Sequence, residues 1–391
     1  MLIGLVGRPN SGKSTFFKAA TLSEVLIANY PFATIKPNSG MAYVKIKDLA
    51  SEFGKKSDPR EGFVKGNWRF VSFELIDVAG LVEGASQGKG LGNEFLSDLS
   101  NADALIHVVD MSGESDGEGK PCENYYPGKD IKIIEKELDL WYFGIFKKVW
   151  RVFAKKVEAE KRNFGEAIAI QFSGLKVSLE NVKKVILNTN LDFEHPSKWS
   201  EEQMLKFARE LRKVSKPMII AANKIDRPEG KENFEKIKKE FDYPIIPCFA
   251  EGELALKEAD KHELIEYTPG EKSFEVKKEL NEKQKNALEK VKKTLSEFGS
   301  TGVQEILNGV VLELLSYICI YPASSRLTDN QGRVLPDCFL MPPGTTALNF
   351  AFKLHSDIGN GFVKAIDLKT KRAVGKDHIL KNGDGLEIMV R

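Results

Sequence analysis

Eight residues near the start of the chain limit its fold more than any other segment, because GRPNSGKS at 7–14 fits the phosphate-binding pattern G-x-x-x-x-G-K-S/T without a mismatch. The apolar run LIGLV at 2–6 predicts a buried strand before the motif, and TFFKAA at 15–20 predicts the first turns of a helix after it. In such a unit, glycines let consecutive N–H groups point at phosphate oxygens, and the helix N-terminus adds partial positive charge. We expect an α/β fold that binds a phosphorylated ligand; a glycine-rich turn without a ligand is the alternative.

The loop itself supplies the expected phosphate and magnesium ligands. Lys13 would reach the β- and γ-phosphates and take part in catalysis, and the hydroxyl of Ser14 would ligate Mg²⁺. The residues expected to line the phosphates are Asn10, Ser11, Gly12, Lys13, Ser14 and Thr15.

A second motif selects the base. The strand-like run KPMIIAA at 216–222 leads into NKID at 223–226, which matches the N-K-x-D signature of GTP-binding proteins. The carboxylate of Asp226 can accept hydrogen bonds from N1–H and the exocyclic amine of guanine. Adenine offers neither donor and would leave a buried carboxylate unpaired. Lys224 can lay its alkyl stem over the base or the ribose, and Asn223 completes the motif, so the sequence predicts GTP in preference to ATP.

The segment FELIDVAG at 73–80 is a predicted strand that ends in D-x-x-G. Asp77 would hold Mg²⁺ through water, and Gly80 would approach the γ-phosphate with its backbone N–H, where a side chain would obstruct. Leu81 follows at the position where Ras-like enzymes use a glutamine to orient the attacking water. A leucine cannot do this, so either hydrolysis is very slow or another group positions the water.

Two further segments resemble the Obg-type GTPases. NYPFATIKPN at 29–38 is similar to the N-Y-P-F-x-T-I-x-P-N segment of that family, and 77–93 is similar to its D-V-A-G-L-V-x-G-A-x-x-G-x-G-L-G-N stretch. The most similar branch is YchF, whose members are translation-associated GTPases. The resemblance implies a P-loop NTPase G domain in which Thr34 closes over Mg²⁺ in the GTP state and 84–92 forms the mobile second switch. It also implies that an apolar residue at 81 is shared by the relatives.

One loop of the base site departs from the family. YchF proteins often have a degraded N-K-x-D motif and can then accept ATP, but NKID is intact in this chain, which favours GTP. The loop that contacts guanine O6 through backbone N–H groups is normally S-A-x, and here Cys248, Phe249 and Ala250 occupy it. Since backbone donors survive a change of side chain, we expect these three residues to contact the base.

Asn10 has two interpretations. In some GTPases that lack the glutamine, an asparagine at this position of the phosphate loop ligates K⁺, which then stabilises charge on the transferring phosphate. The alternative is an asparagine that only bonds the loop backbone.

The interval from 77 to 223 is too long for a minimal nucleotide-binding domain, in which two βα units of roughly 30 residues each would suffice. We therefore expect a helical insertion at about 115–212 within a G domain that spans 1–270. Its predicted helices lie at about 130–163, 172–187 and 201–214. A helical projection lies at this point in YchF relatives, so the resemblance implies the same insertion.

The last part of the chain changes character. A charged helix is predicted at 278–298 and an amphipathic one at 303–319, within a helical connector that we place at 271–320. PPGTTA at 342–347 and NGDGLEI at 382–388 resemble the start and the finish of a TGS domain, a small β-grasp module. The resemblance implies a TGS domain at 321–391 that contacts RNA or the ribosome. The residues alone would also allow a small protein-docking module.

Composition limits the partners. The 391 residues carry 58 basic and 56 acidic side chains, a net charge of +2, so a nucleic-acid partner must meet a local patch. One candidate is 146–162, which holds seven basic residues against two acidic ones; it could face RNA, or be an ordinary amphipathic helix. The four cysteines form no C-x-x-C pair, which predicts reduced thiols in the cytosol. The longest apolar stretch, 303–320, contains charged residues and predicts no membrane span, and we expect no catalytic histidine.

Together these features predict a cytoplasmic GTPase that binds GTP·Mg²⁺, hydrolyses it slowly and acts as a switch in translation or ribosome function. The expected partners are the ribosome, ribosomal RNA or tRNA, met through the insertion and the TGS domain. Two alternatives stay open. One is a protein whose function is RNA binding, with nucleotide as a structural ligand and negligible hydrolysis. The other is an ATP-using relative.

Overall fold

The structure is a computed structural model that describes residues 1–21, 39–78, 84 and 99–391. These residues form one large and one smaller sheet, a two-stranded ribbon and a set of helices, which confirms the expected α/β class. Within them, no helix is both long enough and apolar enough to span a membrane.

Most strands belong to the two larger sheets. In chain order the strands are β1 Leu2–Val6, β2 Ser39–Lys47, β3 Phe63–Lys65, β4 Trp68–Asp77, β5 Ala104–Asp110, β6 Met218–Asn223, β7 Ile245–Pro247, β8 Ile265–Glu266, β9 Glu275–Val276, β10 Ile318–Pro322, β11 Phe339–Met341, β12 Phe362–Asp367, β13 Ala373–Val374 and β14 Asp384–Val390. The described helices are α1 Lys13–Thr21, α2 Gly128–Ala159, α3 Phe164–Gln171, α4 Leu179–Asn188, α5 Glu201–Ser215, α6 Gly230–Glu240, α7 Ala250–Lys261, α8 Glu282–Phe298, α9 Val303–Asn308, α10 Ala347–Leu354 and α11 Ser356–Asn360.

The large sheet has seven strands in the order β2-β4-β1-β5-β6-β7, with β3 also paired to β4. Strands β4, β1, β5, β6 and β7 run parallel, and β2 and β3 pair antiparallel with β4. Every residue of β5 and of β6 is buried, because helices cover both faces of the sheet. The carboxyl ends of β1, β4, β5 and β6 meet at one edge, where open parallel sheets bind ligands.

The insertion folds as four helices around an aromatic core. Helices α2 and α5 match the helices predicted at 130–163 and 201–214. The helix predicted at 172–187 begins later, because its α-helix starts only at Leu179. Lys176 takes a left-handed φ of 61°, and Ser178 then caps α4 with its side chain, so the chain turns before this helix begins. Inside, the rings of Phe146 and Phe172 stack with centroids 3.9 Å apart.

One helix of the connector ends earlier than predicted. The amphipathic helix predicted at 303–319 ends at Leu314: α9 continues as a π-helix over Gly309–Leu314, and Ile318 already begins strand β10. Ser316 has a φ of 53°, which stops the helix. Two side chains of α9 bond to the backbone of edge strand β2: the Gln304 amide donates to the carbonyl of Tyr43 over 2.8 Å, and the Asn308 amide donates to that of Lys45 over 2.9 Å. These contacts occupy an edge that would otherwise expose unpaired groups.

The second sheet has five strands in the order β11-β10-β14-β12-β13, with α10 packed in its core through Phe350. It packs against the large sheet through a common cluster of buried residues, which includes Leu49 just after β2 and Leu368 just after β12. Arg69 of β4, only 1% exposed, donates to the carbonyls of Leu335 and Pro336 over 3.5 and 3.1 Å. One buried cluster therefore spans the two sheets, while the side of the smaller sheet that carries α10 has a core of its own.

Candidate nucleotide-binding site

Two glycines of the loop between β1 and α1 lie where a side chain would collide with its neighbours. A Cβ on Gly7 would lie 2.6 Å from the carbonyl oxygen of Val108. A Cβ on Gly12 would lie 2.2 Å from Nδ2 of Asn223, and Gly12 has a left-handed φ of 87°. The loop therefore needs glycine at both motif positions.

The start of α1 offers donors to an anion. The first hydrogen bond of this helix runs from the N–H of Phe16 to the carbonyl of Gly12 over 2.8 Å, so the N–H groups of Lys13, Ser14 and Thr15 have no acceptor within the helix. The hydroxyl of Ser11 is buried and has no hydrogen-bond partner among the described residues. Backbone donors at a helix N-terminus together with an unsatisfied buried hydroxyl fit a phosphate group.

Lys13 and Ser14 both contact Asp77 at the end of β4. The Lys13 ammonium forms an ion pair with Oδ1 of Asp77, and the Ser14 hydroxyl donates to Oδ2 over 3.1 Å. A Mg²⁺ ion bound directly by the Ser14 hydroxyl would therefore lie beside the Asp77 carboxylate, close enough for Asp77 to hold it through a bound water. The described residues contain no group of three or more His, Cys, Asp or Glu side chains suited to a metal. Oxygens of phosphate and water, and the hydroxyl of Thr34 that the family resemblance implies, would complete the shell.

Asn223 joins the phosphate loop to the base loop. Its Nδ2 donates to the carbonyl of Ser11 over 3.0 Å, and its Oδ1 accepts from the N–H of Ala250 over 3.1 Å. Asn223 is 3% exposed, so both bonds are held in the interior. The first residue of the second motif thus fixes the distance between two loops that a nucleotide would bridge.

Lys224 is held beside the same loop. It has a left-handed φ of 60°, and its Nζ donates to the carbonyl of Asn10 over 3.1 Å and to Oδ2 of Asp110 over 2.7 Å. Burial alone would raise the pKa of Asp110, but hydrogen bonds from Lys224 and Ser112 hold that pKa below its usual value. The carboxylate therefore stays ionised and anchors the lysine whose stem would lie along the base.

A charged network that the sequence motifs do not predict lies next to this anchor. Arg8, inside the loop motif, is 4% exposed and donates to Asp130 of α2 over 2.5 Å and to the hydroxyl of Ser115 over 2.9 Å. Its guanidinium also lies 3.4 Å from Asp110. Burial raises the pKa of Asp130, and the neighbouring Arg8 opposes that rise. Two sequence features could have indicated this network: an arginine inside the phosphate-binding motif and an aspartate at the end of a buried strand.

Asp226 has a nearly buried side chain that meets one residue of the connector. Its side chain is 4% exposed, and its Oδ2 lies 2.7 Å from Nζ of Lys290 on α8. The same Nζ lies 5.3 Å from the centre of the Phe249 ring. Lys290 belongs to none of the sequence motifs and was not predicted as a site residue.

The three backbone N–H groups expected to contact guanine O6 all donate to protein acceptors. Cys248 donates to the carbonyl of Ala222 over 2.9 Å, and Phe249 to that of Thr301 over 2.8 Å. The third, Ala250, donates to the Asn223 side chain. The side chains of Cys248 and Phe249 are 0% and 4% exposed. Contact of this loop with the base therefore stays a prediction, and it requires one of these donors to be shared or released.

Asn10 contacts a neighbouring loop. Its Nδ2 donates to the carbonyl of Gly119 over 2.9 Å, and its φ of 63° lies in the left-handed region that asparagine tolerates. This is a bond to backbone, as in the second interpretation of this residue, although the carbonyl belongs to another loop. A role for Asn10 as a K⁺ ligand stays a prediction.

Three predicted positions, Thr34, Gly80 and Leu81, lie outside the described residues. Gly84 is described, and its N–H donates to Oε1 of Glu137 on α2 over 2.8 Å. One residue of the segment predicted as the second switch therefore contacts the helical insertion.

Three family models match successive parts of the chain. A 50S ribosome-binding GTPase model matches 2–141, a model of the G4 motif-containing domain of Obg-like, YGR210-like GTPases matches 221–325, and a TGS domain model matches 327–390. A GTP-binding protein of Methanocaldococcus jannaschii, described as uncharacterized, is 45% identical over 99% of this chain and 98% of its own length. The ribosome-binding ATPase YchF of Buchnera aphidicola from Acyrthosiphon pisum is 30% identical over 94% of this chain and 88% of its own length. The chain belongs to the YchF-like branch of the Obg GTPase family.

Solved structures agree with this assignment. A GTP-binding protein from Pyrococcus horikoshii is 38% identical, covers the whole of both chains and superposes with a TM-score of 0.79. The Schizosaccharomyces pombe YchF GTPase is 22% identical with a TM-score of 0.59, and supports the fold. The P-loop GTPase fold, the C-terminal TGS domain and the YchF resemblance are thus confirmed. Domain boundaries at 270 and 320 stay predictions; strand β10 of the TGS sheet begins at Ile318.

Proposed function

We propose that this protein binds GTP with Mg²⁺ in the cytoplasm, hydrolyses it slowly to GDP, and acts as a switch in translation. One observation carries the proposal. The side chain of Asn223 bonds both to Ser11 in the phosphate loop and to Ala250 in the base loop. These bonds hold the phosphate loop beside the base loop, as one nucleotide that bridges the two motifs would require, and Asp226 follows in the same motif.

Guanine selectivity rests on Asp226. A carboxylate accepts hydrogen bonds and donates none, so it suits N1–H and the exocyclic amine of guanine, and it finds no donor on adenine. Guanine gains hydrogen bonds to a charged carboxylate that adenine cannot form, and such bonds are worth about 1.5–3 kcal/mol, or roughly tenfold to a hundredfold in affinity. Relatives at 30% identity are called ribosome-binding ATPases. ATP use is therefore the competing hypothesis.

Catalysis in this proposal is electrostatic. With nucleotide bound, Lys13 and the N–H groups at the start of α1 would stabilise charge on the β- and γ-phosphates, and Ser14 and Asp77 would hold Mg²⁺, which neutralises phosphate charge. Family resemblance adds Thr34 as a further magnesium ligand and Gly80 as a γ-phosphate contact. No glutamine is present at 81, where leucine stands, so intrinsic turnover would be slow unless another group, such as K⁺ held by Asn10, assists.

The partner in this proposal is the ribosome or its RNA, since several relatives are named ribosome-binding. The basic segment of α2 supports an RNA contact. Lys148, Arg151 and Lys155 are exposed, and none has an ion-pair partner within the described residues. Lys147 and Arg162, in contrast, pair with Glu201 and Glu160 over 2.6 and 2.5 Å.

Nucleotide titration tests the proposal. GTP, GDP and ATP would be titrated into the protein and into Asp226→Asn in Mg²⁺ buffer, once with K⁺ and once with Na⁺. We expect guanine nucleotides to bind at least about tenfold tighter than ATP, and Asp226→Asn to lose that preference. The amide of the variant can donate to the C2 carbonyl of xanthine, so xanthosine diphosphate should bind the variant better than the parent. Tighter ATP binding would instead favour the ATPase hypothesis. If GTP hydrolysis stays negligible even when ribosomes are added, the RNA-binding hypothesis is favoured.

A further inference from the structure

The connector supplies a cation to the carboxylate that would recognise guanine. Nζ of Lys290 lies 2.7 Å from Oδ2 of Asp226. The two side chains differ in exposure, at 48% for Lys290 and 4% for Asp226. The lysine is therefore the member of the pair with room to move, because about half of its side chain faces solvent, whereas the carboxylate lies in the interior.

The same connector also occupies a backbone donor of the base loop. The carbonyl of Thr301, in the turn after α8, accepts the N–H of Phe249 over 2.8 Å. Lys290 and Thr301 thus engage an acceptor and a donor that guanine would use. Both come from 282–302, a segment that leads directly into α9 and the TGS domain.

The turn that carries Thr301 is closely fitted to the G domain. Gly302 has a φ of 80°, and a Cβ there would lie 1.9 Å from the carbonyl oxygen of Pro247. The hydroxyl of Thr301 donates to buried Glu253 over 2.5 Å. The turn is held on both sides and cannot move easily. An incoming base would therefore displace the Lys290 side chain, which has only one ion pair among the described residues.

We propose that Lys290 is a specificity-determining residue of the base site: its ammonium occupies Asp226 in the nucleotide-free protein and is displaced by the N–H donors of guanine. This inference rests on the proposed function, because it assumes that Asp226 recognises guanine. The ammonium and the guanine N–H groups are alternative partners of one carboxylate: the ammonium meets Oδ2 as an ion pair, and that oxygen accepts no hydrogen bond within the described residues. Each guanine nucleotide must therefore replace an existing ion pair, and the connector weakens guanine binding by the strength of that pair. Adenine does not engage Asp226 and leaves the lysine in place.

Lys290→Met tests the inference, since methionine keeps much of the apolar stem and removes the charge. GDP and ADP affinities would be compared in the parent, in Lys290→Met and in Lys293→Met. Lys293 is an exposed lysine of the same helix with no ion-pair partner among the described residues, so it controls for the change in net charge. We expect Lys290→Met to bind GDP about twofold to fivefold tighter, the range of a partly exposed ion pair, with ADP unchanged.

A double-mutant cycle separates the two proposals. In an Asp226→Ala background, the Lys290→Met gain in GDP affinity should vanish, because the carboxylate through which it acts is gone. A parent protein without preference for GDP over ADP would overturn the proposed function. With that preference intact, a Lys290→Met variant whose GDP affinity is unchanged or weaker, or a gain shared by ADP or by Lys293→Met, would overturn the role of Lys290 alone.

Discussion

The amide of Asn223 donates to the carbonyl of Ser11 over 3.0 Å, across an interval of more than two hundred residues. The same side chain receives the N–H of Ala250, so one residue fixes the phosphate loop against the base loop. Because these bonds order the two loops before a nucleotide binds, the free energy of binding does not include the entropy cost of ordering them.

Replacing Asn223 with alanine should weaken nucleotide binding strongly. Two buried groups, the Ser11 carbonyl and the Ala250 N–H, would lose their partner, at about 1–3 kcal/mol each. We expect GDP affinity to fall by at least roughly tenfold, measured by calorimetry. Asn308→Ala is the matched control, because Asn308 also bonds to backbone but at the β2 edge. It should lower the melting temperature and leave GDP affinity within about twofold; equal loss of binding in both variants would contradict this assignment.

Gly12→Ala should be more damaging than a comparable glycine substitution elsewhere. Its Cβ would meet the Asn223 amide at 2.2 Å at a φ of 87°. Gly54 has a similar φ of 66° but nothing within 4 Å of its Cβ, so Gly54→Ala isolates the backbone strain of about 1–2 kcal/mol. We expect Gly54→Ala to reduce only unfolding free energy, and Gly12→Ala to abolish measurable GDP binding as well. Normal GDP binding by Gly12→Ala would show that the loop relaxes.

Lys13→Ala should remove most hydrolysis. Loss of one preorganised donor to a transition-state anion typically costs about a hundredfold to a thousandfold in rate. Single-turnover GTP hydrolysis at saturating protein would measure it. Lys18→Ala, at an exposed position in the last turn of the same helix, is the control and should hydrolyse at the parent rate. Unchanged turnover in Lys13→Ala would remove this lysine from the catalytic site.

Short motifs on parallel strands were the part of the site that the sequence could predict. GRPNSGKS follows β1 and NKID begins at the last residue of β6, and the carboxyl ends of such parallel strands meet at one edge of the sheet. The contact between Asn223 and the phosphate loop follows from that rule.

Lys290 could not be predicted in the same way. Periodicity predicts that α8 is a helix with a buried face, but it does not say which distant residue an exposed lysine of that helix will meet. The network of Arg8 and Asp110 was missed for a similar reason, because the partners come from separate elements. The end of α9 was misplaced because apolar spacing continues into β10, while the break depends on the positive φ of Ser316.

Lys216 should make stability depend on pH. Its side chain is 1% exposed and donates to the carbonyls of Ser100 and Ala102, and burial lowers its pKa to about 7. Between that value and the ordinary pKa of lysine, near 10.4, the unfolded chain binds more protons than the folded one. This group therefore makes the free energy of unfolding rise with pH above 7, by at most about 1.4 kcal/mol per pH unit. Denaturant unfolding from pH 7 to 9 should show a smaller rise in Lys216→Met, and identical slopes would contradict the assignment.

The exposed basic residues of α2 should carry part of any ribosome affinity. Changing Lys148, Arg151 and Lys155 together to glutamine removes three cations from one face, and each lost phosphate contact should reduce the slope of log affinity against log salt by roughly 0.7–0.9. Ribosome association measured across a salt series would report both the weaker binding and the shallower slope. The control changes Lys283, Lys292 and Lys293 of α8, which alters net charge equally at a different surface. If both triple variants lose affinity alike, the effect is one of overall charge; if only the α2 variant does, the insertion faces the ribosome.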